Sequence, residues 1–175
     1  GQVSPLLDSV MASMVAPALG MLPRQLDTAE ARVELLAIGL QESGFRHRFQ
    51  VVQGQPGVKG PARSFWQMER GGGVAGVLRH EASRYWAHDL CRRRCVEPEA
   101  EAVWRAIEVD DVLAAGLARL LLFTDPRRLP AVGDQAGAWG LYVRVWRPGR
   151  PKPDTWPGYH AAASAYVTAT TGGAK

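Results

Sequence analysis

Apolar residues recur along most of this chain at helical spacing. Val33, Leu36, Ala37 and Leu40 fall on one stripe, and Leu35 and Ile38 widen it. A helix apolar on so many sides belongs at the centre of a core. Asp27-Thr28-Ala29-Glu30 fits a capping box at its start, with Asp27 as N-cap, and the helix runs to about Glu42. Ahead of it, Ser4-Pro5 predicts an N-cap followed by proline at the first helical position, and a helix to Ala18 closed by Gly20 and Pro23.

Residues 43–72 lose this periodicity. Gly54, Pro56, Gly57, Gly60 and Pro61 interrupt any long element. Phe49–Val52 and Ser64–Gln67 read as short extended pieces of a small hairpin or an irregular loop, and Gly71-Gly72-Gly73 reads as a flexible joint. Helical spacing then returns. Short helices are expected over 74–80 and 81–95, and a long one from Glu99 to about Thr124. Another is expected from Gln135 to Trp146 with Asp134 as N-cap, and a last one from Gly158 to Thr170. The proline-rich stretch 147–153 reads as an extended linker. The pattern predicts a single, mainly α domain over 1–175, with one aromatic-bearing insert after the second helix.

Composition narrows the class. The 175 residues are 46% hydrophobic and 22% charged, values ordinary for a globular chain and too apolar for general disorder. No apolar run reaches the roughly 20 residues that cross a bilayer, so no integral membrane association is expected. No charged segment followed by an apolar one marks a signal peptide. The net charge of +4 rests on 18 Arg against 3 Lys. Arg-rich surfaces suit carboxylate or phosphate partners. Arg92-Arg93-Arg94, Arg127-Arg128 and the series Arg144, Arg147, Arg150 are the basic clusters, but no nucleic-acid motif accompanies them. His88, Cys91 and Cys95 share a helix face, yet no second ligand pair completes a zinc set. No metal or cofactor is expected, and the two cysteines are read as buried free thiols, with a strained Cys91–Cys95 bond as the alternative.

The candidate chemistry centres on Gln41-Glu42-Ser43-Gly44-Phe45. A carboxylate at a helix C-terminus meets the negative end of the helix dipole, at a cost of about 0.3–1 kcal/mol. Apolar surroundings disfavour its charge further. Both effects hold Glu42 protonated, the state required of a general acid at a glycosidic oxygen.

The residues Glu42-Ser43 after an apolar helix resemble the Glu-Ser motif of lytic transglycosylases and goose-type lysozymes, in the lysozyme-like superfamily. Ser64-Phe65-Trp66-Gln67 is similar to that family's Gly-Leu-Met-Gln element, with Gln67 retained and Ser64 in place of Gly. The segment Asp111–Leu120 resembles the family helix that begins Asn-Ile. Trp139–Arg144 resembles its C-terminal Ala-Tyr-Asn-x-Gly element, with Tyr142 retained and Val143 in place of Asn. The insert between Glu42 and Gln67 is longer than in typical members.

The resemblance implies a lysozyme-like domain with Glu42 as catalytic acid and base, and Ser43, Ser64, Phe65, Trp66, Gln67 and Tyr142 along the substrate cleft. The implied substrate is the peptidoglycan glycan strand, cut at the MurNAc–GlcNAc β-1,4 bond by transglycosylation that leaves a 1,6-anhydro sugar. That mechanism uses one protein carboxylate. Glu69 is the candidate second carboxylate for goose-type hydrolysis. A divergent phage or prophage origin would place the protein at the bacterial cell wall or periplasm, as a monomeric endolysin or beside other virion proteins. An inactive wall-binding or virion module and a basic nucleic-acid-binding protein are the readings from other classes.

Overall fold

A computed structural model describes residues 4–171. The chain is mainly helical, with one small antiparallel sheet. Helix α1 (Pro5–Val10) starts where expected: the Ser4 side chain accepts from the Leu7 N–H, and Pro5 occupies the first turn. The helix continues through a π-helical stretch, Met11–Val15, into α2 (Ala16–Gly20). Helix α3 (Ala29–Glu42) is capped by Thr28 rather than Asp27. The Thr28 hydroxyl accepts from the Ala31 N–H at 3.1 Å. Asp27 instead grips the Arg32 guanidinium with both oxygens, at 2.8 and 2.9 Å. Every residue from Val33 to Leu40 is buried, so α3 is the central helix its apolar breadth predicts.

Strands β1 (Phe49–Val51), β2 (Lys59–Arg63) and β3 (Met68–Glu69) pair antiparallel in that order. Ser64–Gln67 is therefore not a strand but the turn between β2 and β3. The Gln67 N–H closes it on the Ser64 carbonyl at 3.1 Å. Ser64 and Gln67 both have left-handed backbones, φ 73° and 54°. Burial decides the turn, because it drives Phe65 and Trp66 inward together, which a strand's alternation forbids.

Gly71–Gly73 breaks the helical path: within the stretch Arg70–Val74 the backbone kinks at Gly72 (φ −100°, ψ −108°) before it enters α4 (Ala75–Arg79). A Cβ on Gly73 would lie 3.2 Å from Leu121 and 3.3 Å from Met68, so the chain is closely packed at this glycine, whereas one on Gly71 would meet nothing within 4 Å. Helix α5 (Arg84–Arg93) follows. The long helix expected from Glu99 to Thr124 is two helices, α6 (Ala100–Ala106) and α7 (Asp111–Phe123). Asp110 divides them: it accepts from the Leu113 N–H as an N-cap while holding Arg94 with both oxygens. Every residue from Leu113 to Leu122 on α7 is buried, Arg119 included. The Arg119 Nε–H donates to the Leu26 carbonyl, and burial pushes the guanidinium down to about 10.

Helix α8 (Gln135–Trp146) is capped by Asp134, which accepts from Gly137 N–H. Helix α9 (Trp156–Thr171) begins two residues before the expected Gly158, because Trp156 is itself in the core. Helix α9 packs along α3, and α8 touches both. One hydrophobic cluster joins α1, α2, α3, α7, α8, α9 and the aromatic turn of the insert. No described helix is long and apolar enough to cross a membrane.

Candidate functional site

The site begins where α3 has to stop. Gly44 and Phe45 are consecutive left-handed residues, φ 63° and 56°. For phenylalanine that backbone costs about 1–2 kcal/mol. Burial of the ring offsets the cost. Phe45 packs edge-on against Phe65 and Trp66, each at 5.6 Å between centroids. It also lies over Gly39, where a Cβ would come within 2.1 Å of the Phe45 ring. The chain thus reverses tightly, and Glu42 is left as the last helical residue at a surface edge.

Ser43 locks this reversal to the insert. Its hydroxyl donates to the Phe65 carbonyl at 2.7 Å and accepts from the Phe45 N–H at 3.1 Å. Trp66 completes the joint. Its indole N–H donates to the Leu35 carbonyl of α3 at 2.8 Å, and its own carbonyl accepts from the Trp146 indole at 2.7 Å. The aromatic turn is thereby bonded to α3 and α8 at once, which fixes Gln67 beside Glu42.

From α8, the Tyr142 hydroxyl donates to Glu42 Oε2 at 2.5 Å. The Tyr142 ring is held by parallel stacking on Trp156, 5.2 Å between centroids and 5° between planes. Only 2% of Tyr142 is exposed. Burial raises the pKa of Glu42 above the ordinary carboxylate value, and the Tyr142 hydrogen bond and the Lys152 charge partly oppose that rise. The Tyr142 phenol is pushed up too, by burial and then by Glu42, so it keeps its proton and acts as a donor. Gln41 places Lys152: its side chain donates to the Lys152 carbonyl and accepts from the Thr155 hydroxyl, both at 2.9 Å.

Glu42 opens into a cavity of about 400 Å³ that is also lined by Gln67, Arg46, His47, Phe49 and Tyr159. Glu42 is the one carboxylate among its described lining residues. Glu69 is exposed and lines a neighbouring cleft of about 410 Å³, which meets the first at Gln67. The nearby Arg70 and Arg63 pair with Glu101 and Glu108 rather than with Glu69.

Four expected cleft residues are corrected: Tyr142 is buried and lines neither cavity, reaching the site only through its hydroxyl on Glu42. Trp66, Phe65 and Ser64 are 0%, 5% and 0% exposed, so their side chains form the core beneath the cavity rather than its wall. The Ser64 hydroxyl accepts from the Trp66 N–H, and the Phe65 ring lies under the Arg48 guanidinium at 4.6 Å. Ser43 lines the cavity, but its hydroxyl is committed to the backbone. Gln67 does line it, and its amide donates to the Ser64 carbonyl at 2.8 Å. Arg46, His47 and Tyr159 did not stand out in the sequence. The signal for the first two was available: once Phe45 turns inward, the residues after it face out.

The second titratable group, His88–Cys91–Cys95, does not converge. The His88 ring hydrogen-bonds the Leu78 carbonyl, Cys91 is buried with its thiol pushed up to about 11, and Cys95 is exposed. Both thiols are free, and no three His, Cys, Asp or Glu among the described residues gather for a metal. No family model, curated protein or solved structure matches this chain.

Proposed function

We propose that this protein is a lysozyme-like peptidoglycan-cleaving enzyme that cuts the MurNAc–GlcNAc β-1,4 bond as a lytic transglycosylase. The observation that carries the reading is Glu42: a largely desolvated carboxyl, gripped by the Tyr142 hydroxyl, at the edge of an open cavity. Its raised pKa supplies a proton to the glycosidic oxygen, and the bond from that oxygen to C1 of the muramyl sugar breaks. The resulting Glu42 carboxylate, steadied by Tyr142 and Lys152, takes the proton of the muramyl C6 hydroxyl. That oxygen closes on C1, giving the 1,6-anhydro ring. The acid ends as it began, and no water or protein nucleophile enters.

The cavity's single described carboxylate favours this route over hydrolysis. Goose-type hydrolysis is the second reading, supported by Glu69 on the adjoining cleft, where it would act as base toward a water. Against a nucleic-acid role, eight of the 18 arginines are already paired with carboxylates.

Mass analysis of the soluble muropeptides released from purified sacculi tests the reading. Anhydro ends are expected from the wild type, and loss of release is expected from Glu42→Gln with the thermal midpoint retained. Reducing ends would transfer the assignment to the hydrolase. An unchanged digest from the variant would remove Glu42 from the chemistry.

A further inference from the structure

The cleft beside the Glu42 cavity contains two opposite charges that do not pair. Arg147 and Glu69 both line it, and neither side chain hydrogen-bonds or ion-pairs with another described residue. Arg147 also sits where helix α8 ends with a left-handed backbone, φ 51° and ψ 55°. Glycine takes that conformation at less cost, so ending the helix does not require an arginine there. The floor between the charges is glycine. A Cβ on Gly71 or Gly76 would meet nothing within 4 Å, so side chains at these positions would fill the cleft. Trp146 forms a fixed wall, because its indole N–H is anchored on the Trp66 carbonyl.

The charges select among ligands. An anion alone gains from Arg147 and is repelled by Glu69, and a cation alone meets the reverse. A neutral sugar uses neither. A net-neutral group carrying both charges satisfies the two together. We propose that this cleft binds a zwitterionic amino-acid head group, with its carboxylate on Arg147 and its ammonium toward Glu69, and its aliphatic part on Trp146 over the glycine floor. The link to the neighbouring cavity rests on the peptidoglycan reading above: there the head group is the free end of a diamino acid on the substrate's peptide stem. The cleft then sets which glycan strands are cut, by favouring strands whose stems keep that end free.

The test is binding, followed by NMR on the full chain. The probe is the stem tripeptide N-acetyl-L-Ala-γ-D-Glu-meso-diaminopimelate, its alanine amine blocked as in the glycan-linked stem, and the control is the same peptide with the free side-chain amine of diaminopimelate also acetylated. The tripeptide is expected to shift the Trp146 indole N–H and the Gly71–Gly73 amides saturably. Acetylation, Glu69→Gln and Arg147→Gly are each expected to weaken binding about tenfold or more, as loss of a charge-assisted contact does. Arg147→Gly suits the left-handed backbone, so its thermal midpoint is expected to hold or rise while binding falls. Shifts absent from the Trp146 and glycine signals, or an affinity unchanged by acetylation or by Arg147→Gly, would overturn the proposal. Because the readout is binding, a protein inactive on sacculi that still binds the peptide retires the glycosidase reading alone, and an active protein that ignores the peptide retires this proposal alone.

Discussion

Replacing Tyr142 by Phe removes one hydrogen bond from Glu42 and little else. The ring keeps its stacking on Trp156 at 5.2 Å and its contact with Trp139 at 5.5 Å, so the core beside the site stays filled. The hydroxyl donates to Glu42 Oε2 whichever protonation state Glu42 holds, but more strongly to the carboxylate. A hydrogen bond to a charged group contributes about 1.5–3 kcal/mol and a neutral one about 0.5–1.5 kcal/mol. The difference, about 1–1.5 kcal/mol, corresponds to about one pH unit. The Glu42 pKa is already raised by burial, and Tyr142 is the first of the two groups that oppose the rise. Loss of the hydroxyl therefore raises it further.

If protonated Glu42 is the active form, activity falls as pH climbs through its pKa. In Tyr142→Phe that alkaline limb should move upward by about one unit. The rate below the limb should drop as well, because the carboxylate formed at bond cleavage has lost a donor. Sacculus clearance followed from pH 4 to 9, with a carboxyl-carbon NMR titration of Glu42 in both proteins, measures the two effects separately. A limb or titration that stays in place, or moves to lower pH, would refute the coupling between this hydroxyl and the acid.

Two predictions concern the scaffold. Gly39→Ala places a methyl inside the Phe45 ring, with Phe65 and Trp66 blocking its retreat. It should cost about 1–3 kcal/mol and lower the thermal midpoint by several degrees. Phe45→Leu in the same chain should restore part of the loss, and an unaltered midpoint in the single variant would contradict the packing. Glu34 is 2% exposed, its Oε2 has no hydrogen-bond partner, and burial pushes its pKa well above the ordinary value. The folded state then holds a proton that the unfolded chain releases near pH 4.3. Its contribution is complete below that pH and is lost as pH rises toward the folded pKa, with a slope of up to about 1.4 kcal/mol per pH unit. Urea midpoints of Glu34→Gln should lack this decline, and parallel pH profiles for the two proteins would count against it.

Periodicity alone was enough for most helices. The breadth of the apolar stripe on α3 placed it centrally, and Ser4 and Asp134 marked two helix starts because an N-cap is a local hydrogen bond. Local pattern also separated Glu42 from its neighbours, since a lone carboxylate closing an apolar helix is visible without coordinates. Competition between equally local partners is not visible in this way. Thr28 displaced Asp27 as a cap because Arg32 was within reach of the aspartate, and Asp110 split a continuous apolar pattern because it could cap α7 and hold Arg94 together. The aromatic turn depended wholly on distant partners. Phe65 and Trp66 look alike on paper whether they line a groove or fill a core. Only the Leu35 carbonyl, the Trp146 indole and the Phe45 ring, supplied by three other parts of the chain, send them inward and leave Gln67 at the surface. The same holds for Glu42. Its position was written in the sequence, but its desolvation and the Tyr142 hydroxyl 100 residues away come from packing α8 against the end of α3, and hydration is a property of neighbours in space.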